Sequence, residues 1–160
     1  LILLSCLSFN SKIYIDIDPN YSSNVVMAEF PAFNLYGCYL PHKKKHSLFD
    51  FLINESSNEK SMIIAGDLNS GINGLDQKGN SFWYEEEMKK LHELEVKDAF
   101  RHLNNDKLEY SWYSHKGNGF RYDHTLVSSE LLPVTKNCFY DHSVRENGLS
   151  DHSAMILQVG

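Results

Sequence analysis

The sequence predicts an α+β fold in which β-sheets pack on each other and helices cover them. Three observations point there. Many short apolar or alternating runs are divided by Asn, Asp, Ser, Gly and Pro. Only a few longer stretches carry apolar residues at helical spacing. With 160 residues, 42% apolar and 12% aromatic content, the chain suits one compact core and is too short for two.

Residues 1–9, 12–17 and 24–30 read as strands separated by turn-forming residues. The first of them, Leu1-Ile2-Leu3-Leu4-Ser5-Cys6-Leu7, starts without Met and reads as a buried strand entered partway along its length. It lacks the basic n-region and long apolar segment of a signal peptide, and no window approaches a membrane span. Residues 33–39 continue the strand pattern until Pro41 stops it. Residues 46–55 then place Leu48, Phe49, Phe51 and Leu52 at helical spacing. Ser61-Met62-Ile63-Ile64-Ala65 is a continuous apolar run ending at Gly66, the pattern of a strand buried on both faces. A glycine-containing polar loop over 66–79 leads to an amphipathic helix over 81–95, with Phe82, Met88, Leu91 and Leu94 on its apolar side. Residues 110–113, 121–128, 134–140 and 154–159 read as four more strands.

The net charge of −6 weighs against a broad nucleic-acid-binding face, since such faces are usually basic. It leaves room for an acidic, metal-dependent site, because a bound cation reverses the local field. Cys6, Cys38 and Cys138 form neither a zinc spacing nor a complete disulfide set, so a reducing compartment is expected, the cytoplasm or nucleus. The sequons at Asn20-Tyr21-Ser22 and Asn54-Glu55-Ser56 are short enough to arise by chance.

Chemistry concentrates in four segments. Asp67 and Asn69 lie two apart at the end of the buried run, so an extended chain would present both on one side. A carboxylate can orient or deprotonate a water, and an amide can hold a phosphate oxygen. The same composition also suits a plain turn. Arg121 and Asp123 would share one strand face and Tyr122 and His124 the other, as a surface Arg-Asp pair or with Asp123 meeting His152. A carboxylate bonded to imidazole fixes its tautomer, raises its pKa and leaves the second nitrogen for a phosphate. In Ser150-Asp151-His152, Asp151 suits a hard cation and His152 a phosphate. Asp123-His124 and Asp141-His142 keep a His/Asp transition-metal cluster open, although none has the i, i+4 spacing of a helical zinc site. Tyr39-Leu40-Pro41-His42 precedes Lys43-Lys44-Lys45, either a positive patch beside a phenol or a solvated loop.

Taken in order, these segments resemble the endonuclease/exonuclease/phosphatase superfamily, closest to its exonuclease III and abasic-site endonuclease branch. The match runs through Tyr39-Leu40-Pro41, Gly66-Asp67-Leu68-Asn69, Ser111-Trp112, Gly119-Phe120-Arg121-Tyr122-Asp123 and Ser150-Asp151-His152. Val96-Lys97-Asp98-Ala99-Phe100-Arg101 resembles the segment after the family's central helix. The resemblance implies a DNase I-like αββα sandwich. It also implies a hydrolase, most simply a DNA-repair-type nuclease using Mg²⁺ or Mn²⁺. Asp67 would activate water, Asn69 and Tyr39 would hold the phosphate, Asp123 and His152 would stabilise its charge, and Asp151 would bind the metal. Phe120, Tyr122, Trp112 and Arg121 are the expected substrate-binding residues, Phe120 and Tyr122 lining a pocket for an extruded sugar.

The sequence also departs from the family. His42 replaces a common Asn, and His124 stands where an aromatic or aliphatic residue is usual. The family's first strand, bearing Asn, and a segment bearing a metal-binding Glu have no counterpart here. Residues 1–160 are therefore expected to form the C-terminal two-thirds of a single domain, incomplete at the N-terminus, with the missing segment a possible partner. Weak Mg²⁺ binding and low activity or stability as an isolated monomer are expected, because Mg²⁺ needs several fixed oxygens and lost strands expose sheet edges. DNA is the expected substrate and no membrane partner is expected. A phosphatase or phosphodiesterase acting on small or lipid phosphoesters, or a catalytically inactive binding module, remain the alternatives.

Overall fold

The computed structural model of the chain describes residues 8–13, 17, 19–20, 23–57 and 61–160. The expected strands over 1–9 and 12–17 fall largely outside these residues, as do Cys6 and the tyrosine and serine of the first sequon. Along the chain run β1 (Asn10–Ile13), β2 (Val25–Glu29), β3 (Asn34–Tyr39), α1 (His46–Ser56) and β4 (Met62–Asp67). They are followed by α2 (Glu85–Glu93), β5 (Val96–Asp98), α3 (Ala99–Asn104), β6 (Trp112–Tyr113), β7 (Gly119–Phe120) and β8 (Asp123–Ser128). A 3-10 turn over Ser129–Val134 leads to β9 (Thr135–Asp141), the short α4 (Ser143–Glu146) and β10 (Ala154–Val159).

Six strands form one mixed sheet in the order β1-β2-β3-β4-β8-β5, and β9-β10 and β6-β7 form separate antiparallel pairs. β4 is central because its uninterrupted apolar run can bury both faces. Ile64 and Met62 face a core with Tyr36 and Cys38 of β3, Leu48, Phe49 and Leu52 of α1, and Met88 and Leu91 of α2. Ile63 faces the opposite core with Phe100 of α3, Val127 of β8, and Cys138 and Tyr140 of β9. Each such side chain taken out of water contributes about 1.5–3 kcal/mol before conformational entropy is set against it. The result is the layered α+β architecture the sequence predicts, with α1 and α2 on one face of the large sheet and α3 with the β9-β10 pair on the other. Among the described residues no helix is long and apolar enough to cross a membrane.

Of the boundaries that differ from the sequence reading, two bear on the site. The helix expected from residue 81 begins at Glu85. Asn73 ties the residues before it into extended chain: its Oδ1 accepts from the Phe82 amide at 2.8 Å and its Nδ2 donates to Glu85 at 2.8 Å. The Phe82 ring then packs edge-on against Phe120 instead of lying on the helix. Second, the strand expected over 121–128 begins only at Asp123. Arg121 and Tyr122 form the join between β7 and β8, and that interruption decides where the next three side chains go.

Candidate active site

β3 and β4 run parallel while β8 runs antiparallel to β4, so the ends of the first two and the start of the third meet at one edge of the sheet. The register places Tyr39 beside Asp67, and Asp67 beside Asp123, in one row across three strands. Gly66 permits this row. Its φ is +139°, and a Cβ there would lie 2.0 Å from the Cys38 carbonyl oxygen, so any side chain would push β4 away from β3. A cavity of about 550 Å³ opens over the row, lined by Tyr39, His42, Asp67, Asn69, Trp112, Tyr122, Asp123, Asp151 and His152.

Asn69 adopts φ +48°, a left-handed turn that Asn tolerates, and this folds its amide back on Asp67. Its backbone N–H donates to Asp67 Oδ1 at 2.8 Å, and its Nδ2 donates to Asp67 Oδ2 and to the Leu40 carbonyl, both at 2.9 Å. The segment is thus a turn, and the same turn brings the Asn69 amide onto the Asp67 carboxylate. For Nδ2 to reach a phosphate oxygen, one of its two bonds has to be exchanged. Burial and the neighbouring Asp123 carboxylate push the Asp67 carboxyl up to about 6, against the pull of the Asn69 amide. A carboxylate with that pKa is a stronger proton acceptor than an ordinary aspartate and is still ionised near neutrality.

His152 Nδ1 lies 2.7 Å from Asp123 Oδ2, the pairing the sequence suggested across the chain. That hydrogen bond raises the imidazole pKa above its ordinary 6.5, against the effect of burial. Nε2 remains the ring nitrogen for a substrate oxygen. Ser111 sets the distance between the two partners. Its hydroxyl accepts from the Tyr122 and Asp123 amides at 3.1 and 3.2 Å, and its carbonyl accepts from the Ser153 amide at 2.8 Å. The adjacent Trp112 donates through Nε1 to Asp151 Oδ2 at 3.0 Å. The indole therefore orients the carboxylate expected to meet a metal, a contact that the expected substrate-binding role of Trp112 does not anticipate.

Among the described residues no three His, Cys, Asp or Glu side chains converge as a metal-ligand group. Asp151 is an exposed hard-oxygen donor at the mouth of the cleft. A cation such as Mg²⁺, which keeps several waters and combines one or two carboxylates with substrate phosphates, fits so sparse a set. A site enclosed by protein ligands does not fit it, and neither does a His/Asp transition-metal cluster.

Arg121 is a correction. The structure does not bring it to the cleft: it is fully buried on the opposite side of Tyr122. Its Nε meets Asp76 Oδ1 at 2.8 Å and its Nη2 meets Asp98 Oδ2 at 2.6 Å, while Arg101 also pairs with Asp76. The same-face relation to Asp123 fails because the chain is not a strand at 121–122, where the Arg121 amide bonds to the Asp76 carbonyl instead. His124 joins this interior, with Nε2 2.8 Å from the Ser70 carbonyl oxygen and Nδ1 3.5 Å from Asp98. A second cavity, of about 470 Å³, touches Asp76, Asp98, Arg101 and Arg121, but those charges already neutralise one another.

Lys45 went unrecognised in the sequence. The lysine run splits three ways: Lys43 lies over the Trp83 ring, Lys44 is exposed in a left-handed turn, and Lys45 is fully buried beneath the site. Lys45 Nζ donates to the Leu68 and Asn69 carbonyls at 2.7 and 2.8 Å and sits over the Tyr84 ring. Burial lowers its pKa to about 7, and the attraction of Asp67 and Glu87 opposes the fall. Nothing in a run of lysines signals which member turns inward. Phe120 and Tyr122 stack at 5.2 Å and, with Phe82 and Trp112, wall a neighbouring groove of about 300 Å³.

Residues 33–156 match the family described as Endonuclease-reverse transcriptase. No curated protein sequence matches the chain. Among solved structures, it is similar to a Neisseria 3′ phosphatase, NExo, bound to a product DNA hairpin, with 18% identity and a TM-score of 0.81. The 3′-5′ exonuclease NExo from Neisseria meningitidis gives 18% and 0.77, and an AP endonuclease from Archaeoglobus fulgidus 19% and 0.78. Each superposition covers 94% of this chain and 70% of the other. At those identities the likeness is one of fold.

Proposed function

We propose that this chain, which belongs to the endonuclease-reverse transcriptase family within the endonuclease/exonuclease/phosphatase superfamily, hydrolyses phosphodiester bonds of DNA with the help of Mg²⁺ or Mn²⁺. By family it is a hydrolytic nuclease; the exonuclease III-like branch, the metal, the substrate and the role of each side chain are the proposal. The observation that carries it is the convergence of Asp67, Asn69, Asp123, His152, Tyr39 and Asp151 on one cleft from four separate segments. DNA-bound NExo, with the same fold, supports a DNA substrate. The free thiols of Cys38 and Cys138 support a reducing compartment such as the cytoplasm or nucleus.

Asp67, ionised near neutrality and held by Asn69, accepts a proton from water as its oxygen attacks phosphorus. The ester P–O bond breaks, and the leaving alkoxide takes a proton from solvent. His152, whose cationic form Asp123 favours, stabilises the charge gathering on the phosphoryl oxygens, and the Tyr39 hydroxyl donates from the rim. A divalent cation at Asp151 would supply further charge neutralisation.

The test compares turnover of abasic duplex DNA, single-stranded DNA and soluble phosphomonoesters by the purified chain in Mg²⁺ or Mn²⁺. His152→Ala is expected to lower cleavage about 100-fold or more. Faster turnover of the small phosphoester than of DNA would move the assignment to a phosphatase. Loss of none of the activity in His152→Ala would remove the site altogether.

A further inference from the structure

His42, the departure noted in the Tyr-x-Pro segment, lines both the catalytic cleft and the aromatic groove beside it. Its ring centroid lies 5.7 Å from that of Trp83. Trp83 is 65% exposed in a chain that buries most of its large aromatics, and Lys43 Nζ sits 4.6 Å from its ring centroid. The groove and the cleft share Asn69, Trp112 and Tyr122 as well as His42, so a ligand can pass from one to the other without leaving the surface. Burial and the nearby Lys45 and Lys43 charges lower the His42 pKa, which keeps the imidazole neutral and compatible with stacking.

We propose that Trp83 and His42 form a stacking subsite for one unpaired nucleobase next to the scissile phosphate, with Lys43 meeting the phosphate that follows it. This deepens the nuclease reading and rests on it. A base inside a duplex has both faces covered by its neighbours, so an exposed indole in the groove beside the cleft selects a base that is already unstacked: a strand end, a gap or a bulge. The indole contributes through its face, which every base can match, so the subsite favours single-stranded character without choosing a sequence. Lys43 performs a separate task. Its charge neutralises a phosphate and adds affinity that falls with salt whatever the base. Because the chain as a whole carries a charge of −6, such a local cation matters for holding a polyanion near the cleft.

The experiment is a binding measurement in EDTA, where no cleavage is needed. The two probes are a short oligothymidylate and the same backbone carrying baseless tetrahydrofuran sugars. The wild-type chain is expected to bind the base-bearing strand about 10-fold more tightly, with quenching of tryptophan fluorescence. Trp83→Ala is expected to erase that preference, and Trp83→Phe to retain most of it. Lys43→Gln is expected to weaken both probes alike and to flatten the salt dependence. A preference that survives in Trp83→Ala, or equal or absent binding of both probes by the wild-type chain, overturns the subsite. Failure of Mg²⁺-dependent cleavage with the base preference intact would instead count against the nuclease reading and leave the subsite standing.

Discussion

Two clusters of carboxylates lie on either side of Tyr122, and they are built on opposite principles. Behind it, Asp76 and Asp98 face Arg121 and Arg101, with His124 close by. Burial alone would push both carboxyls up, but Arg121 holds each below the ordinary 3.8. In front, Asp67, Asp123 and Asp151 share the cleft with the imidazoles of His152 and His42, and the Lys45 ammonium below is committed to backbone carbonyls. There the Asp67 carboxyl rises to about 6. The interior cluster is internally neutral and closed. The cleft has spare negative charge, which a cation or a shared proton can satisfy. What separates site from scaffold is therefore imbalance of charge, more than exposure or the number of ionisable groups.

The sharpest way to break this contrast is to remove one member of each cluster. Asp67→Asn is expected to lower turnover by about 10²- to 10⁴-fold with no loss of stability in urea. Arg121→Met leaves the buried Asp98 without its guanidinium and Asp76 with Arg101 alone, and is expected to cost about 3–5 kcal/mol. If Asp67→Asn unfolds the chain or Arg121→Met leaves the urea midpoint in place, the division of labour is wrong.

Acid separates the same clusters. Asp67 has a raised pKa, so its stabilising effect is full below 3.8 and lost as pH rises through about 6, while its action as a base requires the ionised form above 6. Asp76 and Asp98 have lowered values, so their contribution is present above 3.8 and lost as pH falls further. Turnover is thus expected to decline below about pH 6 while circular dichroism stays native down to about pH 4. Coincident midpoints for activity and fold would merge what the comparison keeps apart. The smallest effect concerns Trp112, whose indole N–H orients Asp151. Trp112→Phe is expected to raise the half-saturating Mg²⁺ concentration about 10-fold, read from the metal dependence of cleavage.

Much of the cleft was legible in the sequence, for a definite reason. Asp67 and Asp123 lie at strand ends and His152 just before β10, where period and turn residues mark position, and the Asp123-His152 pairing follows because a carboxylate turned from its neighbour needs another partner. The α1 helix and β10 were plain from apolar spacing. The interior cluster was not legible. Asp76 sits in a polar loop and Asp98 caps a six-residue helix, so neither carries a periodic signal, and their burial is fixed by Arg121 arriving from far along the chain. Arg121 was placed on the face of Asp123 because a strand pattern was continued through residues that break it. Lys45 illustrates the same limit, since its burial depends on two carbonyls contributed by the turn after β4.

The row Tyr39–Asp67–Asp123 has a bearing on time as well as on geometry. β3 and β4 are parallel, so they can pair only after the connection through α1 has closed, and β8 joins β4 from the far side of α2, β5 and α3. Contacts of such long sequence separation are the slow ones in folding, because their loop-closure entropy is spent before any contact repays it. Helix content and collapse can therefore return before the three side chains are in register. A refolding chain regains the ability to act on a phosphate only when its topology is complete, which makes the appearance of activity a clock for the last pairing of the sheet.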